Sequence, residues 1–243
     1  MEWTDEGVIL GTRRHGESGA IVELITAAHG RHLGLVRGGR SRRQQVLLQP
    51  GNSVQVRWRA RLEEHLGIFN LEPSTLRAAA IMESPRALYG LAVLAAHLRL
   101  LPERDPHPEL YVRFLRTLDA LGEPGAGETA LARFELALLA DLGFGLDLSE
   151  CAATGASQEL VWVSPRTGRA ISRSAGEPYR DRLLALPGFL RLEGDGSTDP
   201  ADLAAAFRLT GHFLELHVHG PRGIELPPER QRLVDAVKGR AVR

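Results

Sequence analysis

The sequence predicts an α+β chain of more than one domain, with a β-rich N-terminal part followed by a helical part. Three observations carry this. Roughly the first seventy residues contain five short segments rich in β-branched and apolar residues, with turn chemistry between them. From Ser84 onward the apolar residues recur at helical spacing. Within the β-rich part, from Arg31 to Arg61, eight arginines occur without one aspartate or glutamate, although the whole chain has a formal charge of zero.

Taken in order, Gly7–Thr12 (GVILGT) is the first strand candidate and Ala20–Thr26 (AIVELIT) the second, with HGESG as the turn between them. His32–Val36 is the third. Val54–Arg61 (VQVRWRAR) has the clearest period of two: Val54, Val56, Trp58 and Ala60 fall on one face, Gln55, Arg57, Arg59 and Arg61 on the other. Trp58 therefore belongs to the apolar face. His65–Leu71 (HLGIFNL) is the fifth, and its pattern leaves the side taken by Phe69 open. Five such strands suggest a small closed barrel, for which an OB-fold is one candidate.

Ser84-Pro85 is an N-cap followed by proline in the first helical turn, and Leu88, Leu91, Leu94, Ala95 and Leu98 continue the stripe. A second helix is predicted from about Pro108 to Leu121 and a third from about Ala130 to Leu142, with GEPGAGE between them as a loop. Residues 146–176 are irregular apart from a possible hairpin, Leu160–Val163 with Arg169–Ser172. A short helix is expected around Tyr179–Leu186, a long one from Asp199-Pro200 to about His217, and a last one from Pro227-Pro228. The β module is assigned to residues 1–78 and the helical module, with the hairpin as an insert, to residues 79–243.

Charge is polarised along the chain. Residues 1–61 hold ten arginines against five acidic residues, and the remainder carries the compensating negative balance. Clustered positive charge, more than net charge, attracts a polyanion, because counterion release rewards each neutralised phosphate. Arg57, Arg59 and Arg61 on one strand face, and the Arg37-Gly38-Gly39-Arg40-Ser41-Arg42-Arg43 segment read as a flexible loop, are the main candidates for phosphate contact. Arg31 belongs to the same run. Arg13 and Arg14, with His15, stand before the first turn, where extension of that surface and incidental surface charge are balanced readings.

No apolar run approaches the roughly 20 residues needed to span a bilayer, and MEWTDEGVIL lacks a basic segment leading into an apolar one, so no secretory leader is expected. A single cysteine, Cys151, excludes an intrachain disulfide and suits a reducing compartment. It is expected to fill a small buried space, because no neighbouring motif would lower its pKa. His217-Val218-His219 is expected to be a polar cluster at a helix end, since positions two apart do not share a helix face. Arg113, Arg116 and Arg133 lie among the helical stripes and receive no role. There is no phosphate-binding G-x-x-x-x-G-K-[ST] loop, no G-x-S-x-G elbow and no H-E-x-x-H; Lys238 is the only lysine. Glu63-Glu64 are adjacent on a turn and would diverge. A non-enzymatic protein without cofactor or metal is expected.

GVILGTRRHGESGAIVELITAAHG, then LVRGGR, then FELALLADLGFGLDLSECAATG resembles the RecO family of bacterial recombination mediators, over essentially the whole chain. The resemblance implies an N-terminal OB-fold, a helical domain and a zinc-ribbon-like insert. It also implies binding to single- and double-stranded DNA, strand annealing without ATP, partnership with RecR and the single-stranded DNA-binding protein, help in loading a recombinase on gapped DNA, and a cytoplasmic, nucleoid-associated location. One departure is chemical. Zinc-bearing members carry two C-x-x-C pairs, whereas here Cys151-Ala152-Ala153-Thr154 keeps one cysteine and the second pair, near Ile171–Ser174, has none. A structural zinc site needs four ligands, so no zinc is expected. From the residues alone, an RNA-binding OB protein and a protein-interaction adaptor stand as alternatives to the DNA mediator.

Overall fold

The computed structural model describes residues 1–191 and 199–239. The chain divides into two compact units, Met1–Leu118 and Asp119–Arg243.

In the first unit β1 (Glu2–His15), β2 (Gly19–Thr26), β3 (Gly30–Val36), β4 (Ser53–Arg59) and β5 (Ile68–Thr75) close into a barrel of order β1-β2-β3-β5-β4. Helix α1 (Arg42–Leu47) joins β3 to β4. β1 is longer than the apolar segment GVILGT because it pairs on two sides. Its first half, the polar run Glu2–Val8, pairs with β4, and its second half, out to His15, pairs with β2. A register shift between Ile9 and Gly11 bends the strand where it changes partner. β3 and β5 pair in parallel through Leu35 and Ile68, which closes the barrel.

The alternation in β4 is real: Val54, Val56 and Trp58 are buried while Gln55, Arg57 and Arg59 are exposed. Phe69 also faces inward, 1% exposed. It lies over Gly34, where an added Cβ would stand 2.5 Å from the ring, so the small residue in β3 makes room for the large one in β5. Ile9, Val22, Leu24, Val54, Val56, Trp58 and Phe69 fill the barrel, and Leu47 and Leu48 at the end of α1 pack onto the same cluster.

The segment expected to be a flexible loop is ordered. Residues 37–40 form a tight turn, and α1 starts directly after Ser41, whose Oγ accepts the Gln44 N–H at 3.4 Å. Buried Asn52 fixes the far end of this helix: its Nδ2 donates to the carbonyls of Val46 and Leu47, each at 3.0 Å, and its Oδ1 accepts the Ala78 N–H at 3.0 Å, at the start of α2 (Ala78–Met82). α1 and α2 are too short to show a helical period in sequence. α3 (Pro85–Leu98) begins where Ser84 and Pro85 place it, with Ser84 Oγ accepting the Ala87 N–H at 3.3 Å. α4 (Pro108–Ala120) buries Leu110, Tyr111, Phe114 and Leu118.

In the second unit α5 (Ala126–Asp141) starts within the stretch read as a loop, because Glu128 Oε2 accepts the Gly125 N–H at 2.6 Å and fixes the first turn. β6 (Leu160–Val163) and β7 (Ala170–Ser172) form the expected hairpin. α6 (Arg173–Gly176) and a 3₁₀ turn, Glu177–Arg182, lead to β8 (Leu184–Ala185), which pairs with β6 where a helix was expected; the small sheet has order β7-β6-β8. α7 (Pro200–Leu214) is capped by Asp199, whose Oδ1 accepts the Ala201 N–H at 2.9 Å. It widens into a π turn, Glu215–His219, followed by α8 (Gly220–Arg222) and α9 (Pro228–Lys238).

One buried ion pair ties α5, α7 and α9 together. Arg230 Nε and Nη2 donate to the two oxygens of Glu135 at 2.8 and 2.9 Å. Arg230 Nη2 also donates to the Phe207 carbonyl at 2.7 Å, and Thr210 Oγ1 donates to Glu135. Among the described residues no helix is long and apolar enough to cross a membrane.

Candidate nucleic-acid interface

The arginines of the first unit separate into three environments. The first is the end of the barrel where the β1–β2 turn meets the turn after β3. Ala20 pairs with Arg14 on one side and Val36 on the other, so the two turns are neighbours. Arg40 staples them: its backbone N–H donates to the Ser18 carbonyl at 3.1 Å, and its Nη1 donates to the Glu17 carbonyl at 2.5 Å. Arg13 and Arg14 stand on the last residues of β1, Arg37 on the turn, and Arg42 and Arg43 on the first turn of α1. All five are exposed, and none of their side chains makes a hydrogen bond or ion pair among the described residues. Arg40 holds the turns in place while the others face solvent.

The second environment is the outer face of β4. Read alone, this strand looks purely cationic; in the sheet it is mixed. Register places Glu2 beside Arg59, Thr4 beside Arg57, and Glu6 and Glu72 on either side of Gln55. Arg57 is paired with Glu2, although its side chain stays 64% exposed. The face of Arg57, Arg59 and Arg61, cationic in sequence, is mixed in the sheet, because neighbouring strands supply carboxylates that the sequence of β4 does not reveal. Arg61 lies beyond the strand end, in the loop that carries Glu63 and Glu64. Thr4, beside Arg57, and Arg13 are nine residues apart on β1, roughly 30 Å of strand path, so the two basic regions are separate.

The third environment is that of Arg31, the least exposed of these candidates whose side chain is paired. Its side chain is 16% exposed. Its Nη1 donates to Glu23 Oε1 at 3.0 Å and its Nη2 to the Leu101 carbonyl at 3.4 Å. Arg31 anchors the chain after α3 to the barrel. Arg99, which sequence reasoning missed, reaches the same carboxylate: its Nε donates to Glu23 Oε2 at 2.8 Å, and the side chain remains 46% exposed. Nothing in the helical period distinguishes Arg99; only the fold brings the end of α3 against β1 and β2.

At the opposite end of the barrel Trp3, His29, His32, Trp58 and Phe69 make an aromatic cluster. Trp3 stacks on His29 with ring centroids 4.0 Å apart, and His29 Nδ1 donates to Asp5 at 3.1 Å. Burial, with the charges of Arg104 and His29 adding to it, pulls His32 down to about 4, and its Nδ1 donates to the Leu33 carbonyl at 2.9 Å. Trp58 is core, as its strand face predicts. Phe69 is also core, which leaves this barrel without a broad exposed aromatic platform for bases.

In the insert Cys151 is 1% exposed, as expected, but the ground for treating its thiol as ordinary fails. Burial pushes the thiol up, yet hydrogen bonds from Ser172, Thr154 and the Ala153 backbone outweigh it and bring it down to about 6. The Ser172 N–H donates to Sγ at 3.2 Å. These groups do not fit zinc: one thiol faces a threonine and a serine, and among the described residues no group of three or more His, Cys, Asp or Glu side chains is placed to hold a metal ion. His219 of the His217-Val218-His219 run is buried against the Glu225 carbonyl at 3.1 Å, and His217 stacks on Phe144. Arg133 donates to the Phe189 carbonyl at 3.0 Å.

A closed five-stranded barrel with a helix between its third and fourth strands, and a basic pair of turns at one end, defines the class: an OB-fold protein with a helical second part. Known proteins narrow this. The family descriptions "Recombination protein O N terminal" and "Recombination protein O C terminal" match residues 1–74 and 83–223. The chain is 57% identical over 237 residues to the "DNA repair protein RecO" of Chelativorans sp., covering 98% of this chain and 96% of the relative. It is 58% identical over 239 residues to the protein of that name from Rhodopseudomonas palustris, with 98% and 96% covered, and 57% identical over 238 residues to that of Mesorhizobium japonicum, with 98% and 94% covered. The chain belongs to the recombination protein O family.

Proposed function

We propose that this chain acts in DNA repair and homologous recombination as a non-enzymatic mediator that holds DNA by its phosphates. Arg13, Arg14, Arg37, Arg42 and Arg43 grip the sugar–phosphate backbone of single or double strands, and annealing follows without ATP, because bound guanidinium groups reduce the repulsion between two complementary strands while base pairing supplies the specificity. In this reading the chain works in the cytoplasm, at the nucleoid, with RecR and with DNA coated by the single-stranded DNA-binding protein, and it assists recombinase loading on gapped DNA. Family membership and the names of its relatives support the repair role. The observation that carries the chemistry is the group of exposed guanidiniums on two turns stapled by Arg40. The test is annealing of complementary strands coated with the single-stranded DNA-binding protein, without nucleotide. The native chain should accelerate annealing and Arg37→Glu/Arg43→Glu should lose most of that acceleration; no acceleration by the native chain refutes the mechanism.

A further inference from the structure

The barrel closes unevenly. β1 pairs with β2 from Gly7 to His15 and with β4 from Glu2 to Val8, and β4 pairs with β5 from Ser53 to Arg59. Among the described residues β3 meets β5 at one pair, Leu35 and Ile68, backed by the Leu35 N–H, which donates to the Gly67 carbonyl at 3.0 Å. Nearer the start of β3, residues 99–107, the strap between α3 and α4, stand beside it instead. Glu103 bridges in parallel to Arg31, and the Arg104 N–H donates to the Arg31 carbonyl at 2.7 Å. Gly30 makes this approach possible, because a Cβ there would run into the backbone of Asp105.

One residue spans the gap. Arg104 Nη1 donates to the Glu63 carbonyl and Nη2 to the His65 carbonyl, the latter at 2.9 Å, in the loop 60–67 that leads into β5. Its backbone thus holds β3 while its guanidinium holds the approach to β5. The guanidinium also lies over Trp58, 5.9 Å from the ring centroid, and the Trp58 indole N–H donates to the Leu66 carbonyl at 3.0 Å. The His32 ring packs behind, 5.0 Å from Trp58. Arg104 does this at φ 65°, a left-handed backbone that a residue with a Cβ keeps only where its surroundings enforce it. Its ion pair with Glu103, at 3.7 Å, lies within the strap and does not cross the seam.

We propose that Arg104 is the clasp of a gate: while it holds, β3 and β5 stay joined, and when it lets go the barrel parts along that seam while the remaining strand pairings persist. Backbone bonds are few on this line and the left-handed backbone at Arg104 favours release, so the seam opens before the rest of the barrel. Opening bares the rings of Trp58 and His32 and frees the loop that carries Arg61 and the exposed Leu62. Because the strap joins α3 to α4, the gate is a two-state element set between these helices and the barrel, and movement of either biases the other. The inference stands apart from the DNA-binding reading above.

The test is native-state hydrogen exchange of the whole chain, followed by NMR. In the native chain the Leu35 amide and the Trp58 indole N–H, one on each side of the seam, should show the same protection, lower than that of the amides paired between β1 and β2. Arg104→Ala should speed exchange of these two protons about tenfold or more, since two bonds from a charged donor are lost, and leave the β1–β2 amides unchanged. Glu103→Ala is the contrast: it removes a charge from the strap but no bond across the seam, so both protons should exchange as in the native chain. Equal protection of seam and β1–β2 protons in the native chain overturns the gate. So does an Arg104→Ala variant that leaves Leu35 and Trp58 unchanged or speeds the whole barrel alike, or a Glu103→Ala variant that matches it. Should Arg104→Ala melt early, the comparison of seam and β1–β2 protection in the native chain decides.

Discussion

The assignment of DNA contact to the turns and not to β4 can be tested through salt. Five arginines, Arg13, Arg14, Arg37, Arg42 and Arg43, make no ion pair among the described residues. If each neutralises one phosphate of a single strand, the slope of log affinity against log salt is about −3.5, and raising salt from about 50 to 200 mM weakens binding about 130-fold. Arg37→Ala/Arg43→Ala leaves three contacts, a slope near −2.1 and a loss of only about 20-fold over the same range. Arg57→Ala/Arg59→Ala provides the contrast. Arg57 is paired with Glu2 and Arg59 stands beside it in register, so removing them should leave the slope close to the native value. The assay is fluorescence anisotropy of a labelled oligonucleotide of mixed sequence across a potassium chloride series. A native slope retained by the turn variant, or a larger change in the β4 variant, refutes the assignment.

Further outcomes follow from the packing. His32 is held neutral, with its pKa lowered to about 4 against 6.5 for an ordinary histidine; stability is therefore full above about pH 6.5 and falls as pH drops toward 4, by roughly 3 kcal/mol, and His32→Phe should flatten the pH dependence of the urea midpoint. Removing one partner of the buried Glu135–Arg230 pair, as in Arg230→Leu, should cost about 3–5 kcal/mol in urea unfolding, and Glu135→Leu/Arg230→Leu should recover much of it, because the uncompensated charge disappears. Gly34→Ala forces the Phe69 ring to shift and should cost about 1–3 kcal/mol, read as a lowered melting temperature.

Much of the architecture was legible because it is written in local pattern. The period of two in Val54–Arg59, the Ser84-Pro85 start and the Asp199-Pro200 start all depend on near neighbours, and the structure places strand or helix there. What was not legible depends on distant partners. β1 extends from Glu2 only because β4 accepts it, α1 forms within an arginine run that has no helical stripe, and β8 forms because β6 has an edge to offer. The same division runs through the candidate site. Arg37, Arg42 and Arg43 are exposed cations in sequence and remain so. Arg31 and Arg57 look identical to them in sequence, yet Glu23, eight residues away, and Glu2, at the chain start, engage them. Arg99 carries no signal at all before the chain folds. Single-strand charge patterns identify cations; the sheet decides which carboxylate each one meets.

The stapling of the two turns by Arg40 has a thermodynamic consequence. A cationic tail that stiffens only on meeting its partner shows a large exothermic signal offset by lost freedom, and a marked change in heat capacity. Here the guanidinium carriers are already held on rigid backbone before any strand arrives. Association at this end should thus be driven by ions returning to bulk solvent, with little heat and a nearly temperature-independent enthalpy, and the grip should loosen as readily as it forms when local ionic conditions change.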